Sequence, residues 1–259
     1  MSFRDILVFL DPTDDNEARL KLALDLAKAH DARLIGVDAS SEDAFLGKWR
    51  DRAVSLQVGF EAAAKAAGVA CVFRGLDPPE PAAVLHLAHY ADLIIAPQPE
   101  FEMRPLVAAP VPEDVVVSAG VPTIVLPGFW KHRPVGESIV IAWNASREAT
   151  RAVHDAMPLL AKARKVTIFT DAADPDAAQS AYEMLADHLK RHGVSAKASH
   201  WLDKGDLTVV EALFACLDTE DADLIVAGAY GHARWVENFF GGVSRELISQ
   251  PSMPVLMSH

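Results

Sequence analysis

Gly228, Gly231, Gly241, Gly242 and Ser244 form the set most able to do chemistry. They follow an apolar run, Leu224–Ala227, and precede a short amphipathic run, Arg245–Ile248. A buried strand that ends in glycines and restarts as a helix suits phosphate. Glycine lets backbone N–H groups approach an anion, and a helix N-terminus adds partial positive charge. A serine hydroxyl adds one more donor. A simple turn after the strand would also use Gly228 and Gly231, but the further pair nine residues on favours the cradle.

Such a cradle needs a frame, and the chain describes one twice. ILVFLDPTDD (6–15) recurs as IVIAWNASRE (139–148), which sets Asp11 against Asn144 at an offset of 133. ADLIIA recurs as ADLIVA, with Asp92 against Asp223, and Val121-Pro122 recurs as Met253-Pro254. A repeat this long signals tandem domains, expected over 1–127 and 138–259. In the first, strands are predicted at Ile6–Leu10, Arg33–Val37, Val69–Phe73, Asp92–Ala96 and Thr123–Leu126. Helices are predicted at Glu17–His30, capped by Asn16, and at Asp43–Ala67, Pro81–Tyr90 and Pro112–Ala119. In the second, strands fall at Ser138–Ala142, Lys165–Phe169, Ala196–Trp201, Ala222–Ala227 and Val255–Met257. Helices fall at Arg147–Ala163, Asp174–His192, Leu207–Leu217 and Ser244–Gln250. Alternation of strand and helix predicts an α/β fold. Each domain is a doubly wound, five-stranded, mainly parallel sheet with helices on both faces. Ligands bind such sheets beyond the strand C-termini, where strand order reverses. In the second domain the ends of the first and fourth strands, Asn144 and Gly228, belong there.

Composition narrows the classes. With 259 residues, 51% of them hydrophobic, the chain can bury one large core or two small ones. A formal charge of −12 argues against nucleic acid and against polybasic membrane docking. No apolar run reaches membrane length, and MSFRDILVFL lacks a secretory pattern, so a cytoplasmic setting is expected. Cys71 and Cys216 are far apart and read as buried structural thiols.

The G-x2-G-x9-G run with its hydroxyl residue, between an ADLIV strand and a final PVLM strand, resembles the universal stress proteins. So does a strand ending in Asp/Asn-x-Ser/Thr before a long helix. The resemblance covers both halves. It implies an adenine nucleotide alpha hydrolase-like fold and a regulatory protein that binds ATP, or AMP or adenosine, with or without Mg²⁺. Gly228, Gly231, Gly241, Gly242, Val243 and Ser244 would then hold phosphates and ribose. Ala142, Trp143 and Asn144 would line the first strand end, with Asn144 where the family has an aspartate. Thr170 and Asp171 would lie beside the base. By the same resemblance, Thr123–Leu126 and Val255–Met257 would pair, making the chain an internal pseudo-dimer, with a homodimer of whole chains as a further option.

Two departures modify the expectation. Gly242 stands where the family often has Ser or Thr, and Asn144 removes a negative charge while keeping hydrogen-bonding capacity. The first half departs further. Pro97, Glu100, Pro110 and Glu113 occupy the positions of Gly228, Gly231, Gly241 and Ser244. Prolines remove donors and glutamates repel phosphate, so one working site is expected, in the second half.

Other residues have plainer readings. His188 and His192 have metal spacing on a helix but are expected on a solvated face. Asp14 and Asp15 resemble a Mg²⁺ pair, with helix capping favoured. Ser146 is read as a helix N-cap, and Trp143 as core or as a platform for a base. His232 and Arg234 lie in the glycine loop. No H-x-G-H, S-G-G-x-D-S or Walker A lysine is present to stabilise a leaving pyrophosphate. A slow ATPase, self-phosphorylation or a ligand-free scaffold remain the alternatives.

Overall fold

The computed structural model describes residues 2–11, 13–38, 49–75, 81–98, 112–171, 175–201, 208–229, 247 and 252–259. Its contacts divide the chain into two compact units between Arg133 and Pro134.

In the first unit the elements run β1 (Asp5–Leu10), α1 (Asp15–His30), β2 (Arg33–Asp38), α2 (Trp49–Ala67), β3 (Cys71–Arg74), α3 (Pro81–Ala88), β4 (Leu93–Pro97), α4 (Pro112–Ser118) and β5 (Thr123–Leu126). The strands lie in the order β3-β2-β1-β4-β5, and every neighbouring pair is parallel. Strand order therefore reverses between β1 and β4. Alternate strand residues explain how both faces are covered. Leu7, Phe9, Ile35, Val37, Ile94 and Ala96 pack with Val84 and Ala88 of α3 and Val115 of α4. On the opposite face, a Cβ on Gly36 would lie 2.9 Å from Leu10 and 3.0 Å from Phe60 of α2. Gly36 has no side chain because those two fill its place.

The second unit repeats the plan with β6 (Ser138–Trp143), α5 (Arg147–Leu160), β7 (Lys165–Asp171), α6 (Pro175–Arg191), β8 (Ala196–Trp201), α7 (Val209–Glu220), β9 (Leu224–Gly228) and β10 (Val255–Ser258). Its order is β10-β9-β6-β7-β8, again all parallel. The reversal falls between β6 and β9. Both units are thus doubly wound α/β domains, as the alternation predicts. Thr208 and Glu211 form a reciprocal capping box that starts α7, with Thr208 N donating to Glu211 Oε2 at 2.7 Å.

The repeated aspartate of the ADLI motif sets strand register. Asp223 accepts hydrogen bonds from Gly136 N, Glu137 N and Ser138 N at 2.7–2.9 Å, so it ties the start of β6 to the start of β9. Asp92 does the same between β4 and β1, accepting from Arg4 N and Asp5 N.

Two expectations change. Helix α1 begins at Asp15, not after Asn16, and Asp14 at its N-cap position makes no side-chain capping bond. Asn16 instead turns its Oδ1 back to Asp11 N and to Arg19. Cys71 is only half-buried, whereas Cys216 is buried; both are free thiols, and burial pushes both upward in pKa. The predicted Ser244–Gln250 helix lies outside the described residues except for Leu247, which is buried.

Candidate functional site

Parallel register carries the site residues to one edge. Trp143 of β6 is level with Thr170 of β7, and Ala142 is level with Ala227 of β9. Ala142, Trp143, Asn144, Thr170 and Gly228 therefore gather at the strand C-termini, at the reversal between β6 and β9. Thr170 is buried, while Ala142, Trp143, Asn144 and Gly228 are half-buried. Asp171 is the last residue of β7. Gly231, Gly241, Gly242, Val243 and Ser244, with His232 and Arg234, lie outside the described residues.

The turn from β6 into α5 is tight. Ala145 takes a left-handed conformation, φ 57°, which is uncommon for a residue with a Cβ. Asn144 Oδ1 accepts from Ser146 N at 3.1 Å and braces that turn. Ser146 Oγ accepts from Ala149 N at 3.1 Å, so the expected N-cap is present.

Gly228 has a further reason to be glycine. A Cβ there would lie 2.4 Å from Ala149 N and 2.6 Å from the Glu148 carbonyl carbon. The first turn of α5 sits directly on the end of β9, and only a bare backbone admits it. Glu148 is buried at the same contact and meets Arg147 Nε at 3.1 Å. The α5 side of Gly228 is therefore closed by helix backbone.

Ser258 escapes the sequence reading. It is the register partner of Gly228, buried, and its Oγ has no hydrogen-bond partner. Paired positions on parallel strands face the same way, so this hydroxyl lies on the α5 side. The signal was available, because a polar residue ends an otherwise apolar strand, Val255–Met257.

The first unit fills the equivalent place differently. Asp11 follows β1 and is buried with Arg19, whose Nη2 lies 2.5 Å from Asp11 Oδ2. Arg19 Nε donates to Phe9 O at 2.6 Å. Thr13 N donates to Asp11 Oδ1 at 3.0 Å, and the Thr13 hydroxyl bonds the same oxygen. The carboxylate is thus fully engaged inside its own unit. At the offset of 133, Arg19 corresponds to Ala152, which is also buried. The charged pair Asp11–Arg19 becomes the neutral pair Asn144–Ala152. The neutral amide at the half-buried Asn144 thus goes with the loss of the arginine that neutralises Asp11. Pro97 ends β4 where Gly228 ends β9. Glu100 and Pro110 lie outside the described residues.

Among the described residues no group of three or more His, Cys, Asp or Glu side chains could hold a metal ion. No described helix is long and apolar enough to cross a membrane.

No protein-family model and no curated protein matches the chain. Solved structures do. A universal stress protein from Archaeoglobus fulgidus DSM 4304 superposes with a TM-score of 0.76 at 15% identity, over 98% of this chain and 97% of that one. A structure from Pseudomonas aeruginosa UCBPP-PA14, provisionally given the same family name, has a TM-score of 0.62 at 14% identity, covering 99% and 93%. A protein of unknown function from Pseudomonas aeruginosa PAO1 has a TM-score of 0.58 at 15% identity, covering 99% and 92%. With two successive units of one strand order, matched along their whole length, the chain has the tandem fold of the universal stress proteins.

Proposed function

We propose that this protein is a tandem universal stress protein whose second unit binds an adenine nucleotide, ATP or its relatives AMP and adenosine. The ligand acts as a regulatory signal with little or no turnover. The observation that carries the reading is the contrast between the two strand reversals. In the second unit, Ala152 stands where Arg19 stands in the first, so among the described residues no arginine is paired with Asn144, and the strand that ends in Gly228 leads into the G-x2-G-x9-G sequence. In the first unit, Asp11 is engaged by Arg19 and a proline ends the matching strand.

In this reading Trp143, Asn144, Thr170 and Asp171 face the base and ribose. Gly231, Gly241, Gly242, Val243 and Ser244 cradle the phosphates with backbone N–H groups and one hydroxyl. Gly228 acts by letting α5 close on the strand end. The first unit serves as a pseudo-partner that does not bind nucleotide in this mode.

Mass spectrometry of small molecules released from the native protein tests the ligand class directly. Isothermal titration with ATP should give one site per chain. Gly231→Glu should fold normally and lose that site, because a carboxylate would stand where a phosphate must. Two equivalent sites per chain, or unchanged affinity in Gly231→Glu, would overturn the reading.

A further inference from the structure

Three histidines from two helices meet on the outer side of the second unit. His154 lies on α5, and His188 lies on α6 with His192 one turn on, just past the helix end. The His154 and His188 rings stack, with centroids 5.3 Å apart and planes 15° from parallel. The His188 and His192 centroids are 4.8 Å apart at 58°. His154 and His192 are exposed, but His188 between them is half-buried, and its Nε2 is shut from solvent with no hydrogen-bond partner. The solvated helix face expected for His188 and His192 is therefore a stacked cluster. Stacked rings do not converge on one ion, in keeping with the lack of a metal-holding group among the described residues.

We propose that His154, His188 and His192 form a proton-sensitive clasp between α5 and α6, closed while the imidazoles are neutral and opened by acidification. A proton on His188 would place a cation at an atom that has neither water nor an acceptor, between two further imidazoles. Burial is the main force holding His188 below the ordinary histidine value of 6.5. His192, His154 and Arg191 add to it, and Asp187 opposes it. Asp187 is already paired with Arg191 at 2.9 Å. On α5, Asp155 stands next to His154 in sequence and is paired with Arg151 at 2.8 Å. Both acids thus share their charge with an arginine.

The sign follows. A base depressed in the folded state leaves stability intact above its unfolded pKa of 6.5 and erodes it as pH falls below that value. The first turn of α5 carries Glu148 and Ala149, which sit against Gly228, so the helix that bears His154 also abuts the end of β9. The clasp itself does not depend on any nucleotide.

The test is an NMR titration of the full chain with ¹³C-labelled histidine, between about pH 8 and 5. In the unmodified protein His188 should titrate below 6.5. His154→Gln and His192→Gln alter exposed side chains, and each should move that midpoint upward. In parallel, the thermal midpoint of the unmodified protein should fall more on acidification than that of His188→Leu. A His188 midpoint at or above 6.5, or one unmoved by both flanking substitutions, would overturn the proposal.

Discussion

Arg19 Nη2 lies 2.5 Å from Asp11 Oδ2, and both side chains are shut from solvent in the first unit. Removing one partner of such a pair strands a buried charge. Arg19→Ala should therefore destabilise the chain by about 3–5 kcal/mol. Asp11→Asn combined with Arg19→Ala reproduces the neutral arrangement of Asn144 and Ala152. The double variant should be more stable than Arg19→Ala alone. Urea unfolding of the two single variants and the double gives the coupling, and additive losses would contradict it.

Gly228 has no room for a side chain. Gly228→Ala forces a methyl group to within 2.4 Å of Ala149 N, so α5 or β9 must shift. The expected loss is about 1–3 kcal/mol in chemical denaturation. Gly59, which lies within α2 and has open space for 4 Å around the point a Cβ would occupy, is the control. Gly59→Ala should be neutral or stabilising by about 0.5–1 kcal/mol.

The repeated aspartates differ in burial, and this ranks their effects. Asp223 is buried and accepts from three backbone N–H groups, whereas Asp92 is exposed and accepts from two. Asp223→Ala should cost about 3 kcal/mol and Asp92→Ala about 1 kcal/mol. Hydrogen exchange at Gly136–Ser138 should accelerate in the Asp223 variant, which locates the effect at the start of β6.

Glu220 gives the second unit an acid-sensitive tie. It is buried and meets Lys197 Nζ at 2.5 Å, Lys165 Nζ at 2.9 Å and the Thr167 hydroxyl at 3.2 Å. Burial pushes its carboxyl up, but the bonds from Lys197 and Lys165 outweigh burial and hold it below 4.5. A depressed carboxylate contributes stability that is fully present above pH 4.5 and is lost as pH falls through the folded value. Glu220→Gln should flatten the pH dependence of stability in that acidic range. An unchanged slope in acid-unfolding curves would contradict the assignment.

Strand order and the duplicated plan were legible because apolar runs such as LIIA and LIVA mark strands buried on both faces. The gathering of Asn144 and Gly228 followed from that topology, whereas Trp143 and Thr170 joined them through the family resemblance. Arg19 was not legible from composition, since an arginine on a surface helix ordinarily faces water. Its position did carry the signal. The buried residues of α1 are Arg19, Leu22, Ala23, Leu26, Ala27 and His30, an inward stripe with helical spacing. An arginine at the head of that stripe, eight residues after a strand-end acid, is placed to pair with it. The histidine stack was hidden because His154 and His188 belong to different helices, and spacing within one helix reports only His188 and His192. The closeness of α5 to β9 was hidden too, because a glycine that makes room for a helix looks the same in sequence as one that makes room for a ligand.

That last ambiguity shapes how a mutational scan of this protein should be interpreted. Position 228 will reject nearly every replacement through misfolding, whatever cargo the molecule carries, so intolerance there is not a readout of occupancy. The informative positions are the later glycines and Ser244, where abundance and ligand retention can be scored separately. A position that keeps the protein abundant yet empties it marks the cradle, whereas one that depletes the protein altogether marks the scaffold.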